Sequence, residues 1–232
     1  MLQAFISSAI LTIMKRMYEH SEMARIASPD CKGCGRCCID MGESVRLDPF
    51  DLHMLSVKTG KSFSGLLSAD MIGLHAEDGI VLPHLSMGGT DSRCRFLSES
   101  MECSIHDCRP GLCRLFPLGR EYTDGSFRYF IVEDACPRKT LSKVRISDWL
   151  GISDISRYTS FITSWHSFIL RAKESAVKNR DGSYASALSS FIIKVFYETP
   201  YLTSEGIPAG LHDLTDFTRL FEMRLSAAKE AL

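Results

Sequence analysis

The 232-residue chain lacks an excess of either charge: 27 lysines and arginines stand against 28 acidic residues, and no run exceeds two like charges. That balance gives no electrostatic reason to expect nucleic acid or an anionic membrane as the main partner. Long apolar runs are missing as well. The most apolar stretch, Leu2 to Met14, is interrupted by Gln3, Ser7, Ser8 and Thr12, and it falls short of the roughly 20 residues of a spanning helix. No transmembrane segment is therefore expected. The order of a secretory signal is absent too, because Lys15-Arg16 follows the apolar residues instead of preceding them and no small-residue cleavage site comes after. There is no internal repeat, no low-complexity stretch, no Gly-x-Gly-x-x-Gly after a strand and no His-Glu-x-x-His, which argues against solenoids, dinucleotide-binding folds and zincin proteases. Thr59-Gly60-Lys61-Ser62 ends like a phosphate-binding loop, yet Leu55 stands where its first glycine is required.

What the chain has is cysteine, at positions 31, 34, 37, 38, 94, 103, 108, 113 and 136, with none beyond. Without a signal the expected compartment is the reducing cytoplasm, where nine cysteines point to metal and away from a disulfide framework. A hydrophobic content of 45% excludes a mostly disordered chain.

The cysteine distribution suggests three segments. Residues 1–27 read as an N-terminal amphipathic helix, with Leu2, Phe5, Ile6, Ile10, Ile13, Met14 and Met17 on one face. Residues 28–140 read as a small, irregular cysteine-rich metal-binding unit with short elements. Its expected parts are a helix opened by Asp48-Pro49, a second from Ser62 or Ser64, an edge or bulged strand Ile80 to Leu85 weakened by Pro83, a hairpin of Arg93 to Leu97 with Met101 to Ile105, and a strand Phe127 to Val132. Residues 141–232 read as a C-terminal helical bundle: a short helix capped by Ser147, then Ser156 to about Lys178, Tyr184 to Tyr197, and His212 to Ala231. The expected fold class is α+β, mainly helical.

Cys31-Lys-Gly-Cys34-Gly-Arg-Cys37-Cys38 carries the chemistry. In a Cys-x-x-Cys step the chain turns so that both sulfurs reach one metal, and Gly33 and Gly35 permit the tight backbone. Adjacent Cys37 and Cys38 are expected to point apart, so Cys38 serves a second centre or bridges two metals. Cys136-Pro137 is the best fourth ligand for Cys31, Cys34 and Cys37, the arrangement found around [4Fe-4S] clusters of bacterial ferredoxins. Cys38, Cys94, Cys103 and Cys113 suffice for another centre, with Cys108 and His106 in reserve. Arg36, Arg93, Arg95, Arg109 and Arg114 each lie within two residues of a cysteine, and together they suit the compensation of clustered thiolates. His53, His75, His84, His166 and His212 stand in no ligand-like spacing and read as surface or core residues.

The stretch Cys103-Ser-Ile-His106-Asp-Cys108-Arg109-Pro110-Gly-Leu-Cys113-Arg114-Leu-Phe116-Pro117, preceded by Cys94-Arg-Phe-Leu and by the CxxCxxCC string, resembles the CxxCxxCC (YkgJ-like) family of zinc- or iron-chelating cysteine-cluster proteins. The likeness spans roughly residues 31–137 and takes in eight of the nine cysteines. His106 stands where the family has Tyr, and Cys108 is additional. The resemblance implies metal binding without bringing a reaction. A similar cysteine signature occurs in flagellin lysine methylases that use S-adenosylmethionine, but the remainder of the chain offers nothing to align with them.

Three functions compete. The first is an iron-sulfur protein in redox or partner-assisted chemistry, with Arg36, Arg109, Arg114 and His106 beside its cluster and a protein partner. The second is a zinc-stabilised interaction module with two tetrathiolate zinc sites or a trinuclear zinc cluster of nine thiolates, and the third a metal-dependent group-transfer enzyme such as a methyltransferase. Zinc and iron-sulfur clusters share the thiolate preference, and Cys136-Pro137 puts the iron-sulfur reading first.

Overall fold

The computed structural model describes residues 15–28, 34–88, 91–123, 125–137, 140–179, 181–203, 205–206, 209 and 214–230. The architecture is mixed α+β, 45% helical and 22% strand. The apolar stretch Leu2 to Met14 lies outside the described residues. Tyr18 forms a bridge with Tyr129, and Met23–Ala27 is a strand, β1.

Helix α1 (Pro49–Thr59) starts where its sequence says it should. Asp48 accepts from the Asp51 amide while the Asp51 carboxylate accepts from the Asp48 amide, Pro49 needs no N–H at its position, and Gly60 ends the helix at φ 66. The Ser62 hydroxyl caps α2 (Phe63–Ser68) by accepting from the Gly65 amide. β2 (Ile72–Glu77) and β3 (Ile80–Leu85) then form a hairpin whose turn residues Asp78 and Gly79 both take positive φ, as a two-residue turn matched to strand twist demands. β3 runs without a bulge. Val45 to Leu47 lie along its other side, the Leu47 amide donating to the Pro83 carbonyl and the Leu85 amide to the Val45 carbonyl.

β4 (Met87–Gly88) pairs with β5 (Arg93–Cys94). The expected hairpin of 93–97 with 101–105 is reduced to one bridge between Leu97 and Cys103. A turn closed by the Leu97 amide on the Cys94 carbonyl breaks its first arm. The short helix α3 (Gly111–Leu115) leads into the hairpin β6 (Leu118–Thr123) and β7 (Ser126–Ile131). β8 (Ser142–Arg145) returns to β1 in antiparallel register.

Helix α4 (Ile146–Leu150) begins one residue before the expected cap, so Ser147 lies in its first turn and Gly151 ends it at φ 63. Asp154 caps α5 (Ile155–Lys178), whose buried Tyr158, Phe161, Ile162, Trp165, Phe168, Ile169, Ala172 and Ala176 form one stripe. α6 (Gly182–Ile192) continues as a π-helical turn, Ile193–Glu198, and α7 (Leu214–Lys229) closes the fold. Arg224 steadies the π-turn by donating to the carbonyls of Val195, Thr199 and Pro200.

The apolar core is continuous across the chain. Phe50 of α1 meets Phe217 at 4.9 Å and Phe161 at 6.3 Å, and Phe161 meets Phe221 at 4.7 Å. The Tyr197 hydroxyl donates to the Leu47 carbonyl, and His53 Nε2 lies 2.9 Å from the Ala209 carbonyl oxygen. The cysteine-bearing segment is thereby held on the helical layer through α1. Among the described residues no helix is long and apolar enough to cross a membrane.

Candidate metal centre

The cysteines are positioned by backbone more than by regular structure. Gly35, at φ 59, opens a 3-10 turn over Arg36–Cys38, and a Cβ there would fall 2.6 Å from Met101 Cε. Glycine takes the left-handed conformation without strain, and its missing Cβ leaves room for the Met101 side chain. The Asp40 amide donates to the Ser92 carbonyl and Ile39 bridges Arg93, which lays this turn beside β5 and Cys94. Cys103 is tied to the same place through its bridge to Leu97 and the bond from the Ser104 amide to the Phe96 carbonyl. A second 3-10 turn, His106–Cys108, leads to Pro110 and α3, which carries Cys113.

The thiols so gathered act on one another. Cys37 and Cys38 share a side-chain hydrogen bond that, with help from Arg109, draws Cys37 down to about 6 and holds Cys38 high. Their side chains do not diverge as an extended chain would require, because neighbours in a 3-10 turn are separated by about 120° instead of alternating faces. Cys38 feels the charges of Cys94 and Cys103 as well as Cys37. Burial raises Cys94 and Cys103 despite an amide hydrogen bond to each sulfur, from Phe96 and Ile105 respectively. Burial also raises Cys113, with Cys94, Asp51, Cys37 and Cys103 adding to the shift. Cys108 is fully buried, and burial followed by the Asp107 charge pushes it up to about 11.

The expected arginines divide in two. Arg36 pairs with Asp40 at 3.9 Å, Arg93 with Asp91 at 3.3 Å and Arg95 with Asp70. Arg109 instead faces Cys37 and Cys103, and donates to His106 Nε2 at 3.2 Å. That bond makes Nε2 an acceptor, and burial together with Arg109 lowers the pKa of the imidazole. Arg114 is buried, donating to the carbonyls of Asp107 and Leu150.

Behind Cys113 lies a buried polar group that sequence reading missed. The Gly111 amide donates to Asp51 Oδ1 at 2.7 Å, which fixes the start of α3. Burial raises both carboxyls, Asp48 to about 6, while Arg120 and Arg114 oppose the shift at Asp48. Arg120 donates to the Tyr158 hydroxyl at 3.3 Å from within the same cluster. Asp48 was legible only as a cap and Asp51 was not singled out; their burial depends on helices and strands far along the chain.

Cys31 and His212 lie outside the described residues. Cys34 and Cys136 are half-buried, the latter in the loop after β7. Among the described residues no three His, Cys, Asp or Glu side chains already surround a common point as an ion would require. The donor set nevertheless fits a soft or borderline metal. Cys37, Cys38, Cys94, Cys103 and Cys113 stand within electrostatic reach of one another, and two sulfurs already receive backbone N–H bonds that favour thiolate.

Such a set defines a cysteine-rich chelating module. Residues 30–137 match the CxxCxxCC family model, described as "Putative zinc- or iron-chelating domain". Comparison with curated proteins and with solved structures finds no match.

Proposed function

We propose that residues 28–140 hold a polynuclear thiolate-bound metal centre whose content is an iron-sulfur cluster of the [4Fe-4S] type, in redox or partner-assisted chemistry. The observation that supports this reading is the mutual approach of Cys37, Cys38, Cys94, Cys103 and Cys113 beside Arg109. Five thiols exceed the four that one tetrahedral ion takes, so more than one metal atom is called for. Cys31, Cys34 and Cys136-Pro137 complete the ferredoxin-like ligand pattern in the sequence. When bound, such a cluster supplies one-electron transfer. The chain contributes a cation, Arg109, to offset thiolate charge, the Phe96 and Ile105 amides to hydrogen-bond two sulfurs, and the Asp51–Gly111 bond to hold Cys113 in place. The eight described cysteines are all free thiols, which suits a reducing compartment such as the cytoplasm.

One observation favours zinc as the second reading. Cys108, outside the family pattern, lies within electrostatic reach of Cys103, so six thiols share one neighbourhood, as an interaction module built on a trinuclear nine-thiolate zinc cluster would use them. Anaerobic purification with metal and acid-labile sulfide analysis separates the two. Brown protein containing iron and sulfide is expected; colourless protein containing zinc overturns the iron-sulfur assignment and leaves the thiolate centre standing.

A further inference from the structure

Away from the cysteines, the hairpin β2–β3 brings together groups that their spacing in sequence does not advertise. His84 pairs with Gly73 across the hairpin, and His75 lies two residues beyond Gly73 on β2. Side chains alternate between faces along a strand, so the two imidazoles occupy one face as diagonal neighbours. Gly73 makes the room: a Cβ there would come 2.6 Å from His84 Nε2.

Glu43 is set over the same face by backbone. Arg46 bridges His84, the Leu47 amide donates to Pro83 and the Leu85 amide to Val45, so the chain after Glu43 is fastened along β3. The turn itself is closed by the Ser44 amide and hydroxyl on the Met41 carbonyl, and Arg46 Nη1 donates to the Glu43 carbonyl at 2.6 Å. The Glu43 carboxylate meets His75 Nδ1 directly and stands 3.9 Å from His84 Nε2.

The His84 tautomer sharpens the point. Nδ1 lies 2.9 Å from the Leu85 carbonyl oxygen, which only accepts, so Nδ1 carries a proton and Nε2 is the ring nitrogen left to face Glu43. That ring is 9% exposed. A buried imidazole anchored by one nitrogen on a backbone carbonyl, with the other free towards a carboxylate, is how metal-ligating histidines are held.

We infer that Glu43, His75 and His84 form a second cation site of the two-histidine, one-carboxylate kind, taking a borderline divalent ion such as Zn2+ or Fe2+ with its remaining positions open to water. In the structure Glu43 and His75 contact each other directly and the three side chains do not yet surround a common point; the exposed Glu43 carboxylate turns aside to admit an ion between itself and the two rings. Glu77, the nearest further carboxylate to His75, is already held by Lys173 at 2.7 Å and faces Arg46 as well. The site is independent of what the cysteines hold.

The test is equilibrium dialysis of the full chain, as purified with its cysteine centre filled, against Zn2+, compared with Glu43→Gln and His75→Ala. Both changes fall on partly exposed side chains, and circular dichroism verifies the fold. The expected result is one further Zn2+ per parent chain and a dissociation constant raised at least about tenfold in each variant. Co2+ bound in the same place should show no sulfur charge-transfer absorption. No further ion, an ion held equally by both variants, or a thiolate charge-transfer band would each overturn the inference.

Discussion

Replacing Gly111 by alanine should destabilise the protein although helix propensity predicts the reverse. Gly111 opens α3, and exchanging a helical glycine for alanine ordinarily gains up to about 1 kcal/mol. Here the added Cβ would lie 2.6 Å from the Tyr158 hydroxyl oxygen, with Asp48 Oδ2 and Asp51 Oδ1 at 3.6 Å. Tyr158 is 1% exposed, packs edge-on against Phe50, and accepts from Arg120, so its oxygen has nowhere to retreat. Overpacking of this kind costs about 1–3 kcal/mol, which outweighs the propensity gain. The expected net loss, about 1–2 kcal/mol, lowers the midpoint of thermal unfolding by about 2–8 °C for a chain this long. Because α3 carries Cys113, the variant should also yield metal to a chelator sooner than the parent. Tyr158→Phe removes the oxygen at a cost of about 1 kcal/mol for the lost hydrogen bond, and the pair should be less damaging together than the sum of the two singly. Additive effects, or a Gly111→Ala variant as stable as the parent, would refute the steric argument.

Cys108→Ser should keep the metal content of the parent under the iron-sulfur reading, whereas Cys113→Ser and Cys34→Ser should each lose metal; loss in Cys108→Ser would move the assignment to the nine-thiolate zinc cluster. In metal-free, reduced protein one thiolate shared by Cys37 and Cys38 should form above about pH 6. Iodoacetamide should then label Cys37 with a midpoint near there, and a midpoint in the ordinary thiol range would contradict the shared bond. Burial raises the Asp48 carboxyl to about 6, so the folded state binds its proton more tightly than the unfolded chain does. Stability should therefore fall as pH rises from the ordinary carboxylate range through about 6. Asp48→Asn, which retains the cap, should flatten that fall in urea titrations, and identical pH slopes in parent and variant would count against the burial argument. Metal removal under reducing conditions should withdraw binding free energy of order 10 kcal/mol from the cysteine segment. It should increase proteolysis within 28–140 while much of the helicity beyond 141 persists, and unchanged protease resistance would speak against a structural metal.

Features whose cause lies within a few residues could be read from the order of amino acids alone. Asp48-Pro49, Ser62 before Phe63, and the helix that carries Phe161, Trp165, Phe168, Ile169 and Ala172 on one stripe are local geometry, because a cap bonds three residues on and a helix repeats within four. The cysteine spacing was legible for the same reason, and it led to the family that residues 30–137 match. What depends on partners distant in the chain emerged with the tertiary fold. Met23–Ala27 is a strand because Ser142–Arg145 comes back to pair with it, and nothing in a five-residue segment reports that partner. The shared bond of Cys37 and Cys38 follows from the 3-10 turn that Gly35 opens against Met101. Asp48 reads as a cap in sequence; its burial with Asp51 beside Arg120 and Tyr158 exists only where β6 and α5 close over α1. His75 and His84 lie in no recognisable ligand spacing because an antiparallel hairpin joins residues by register across a turn, and register is set by turn and packing rather than by a fixed interval along the chain.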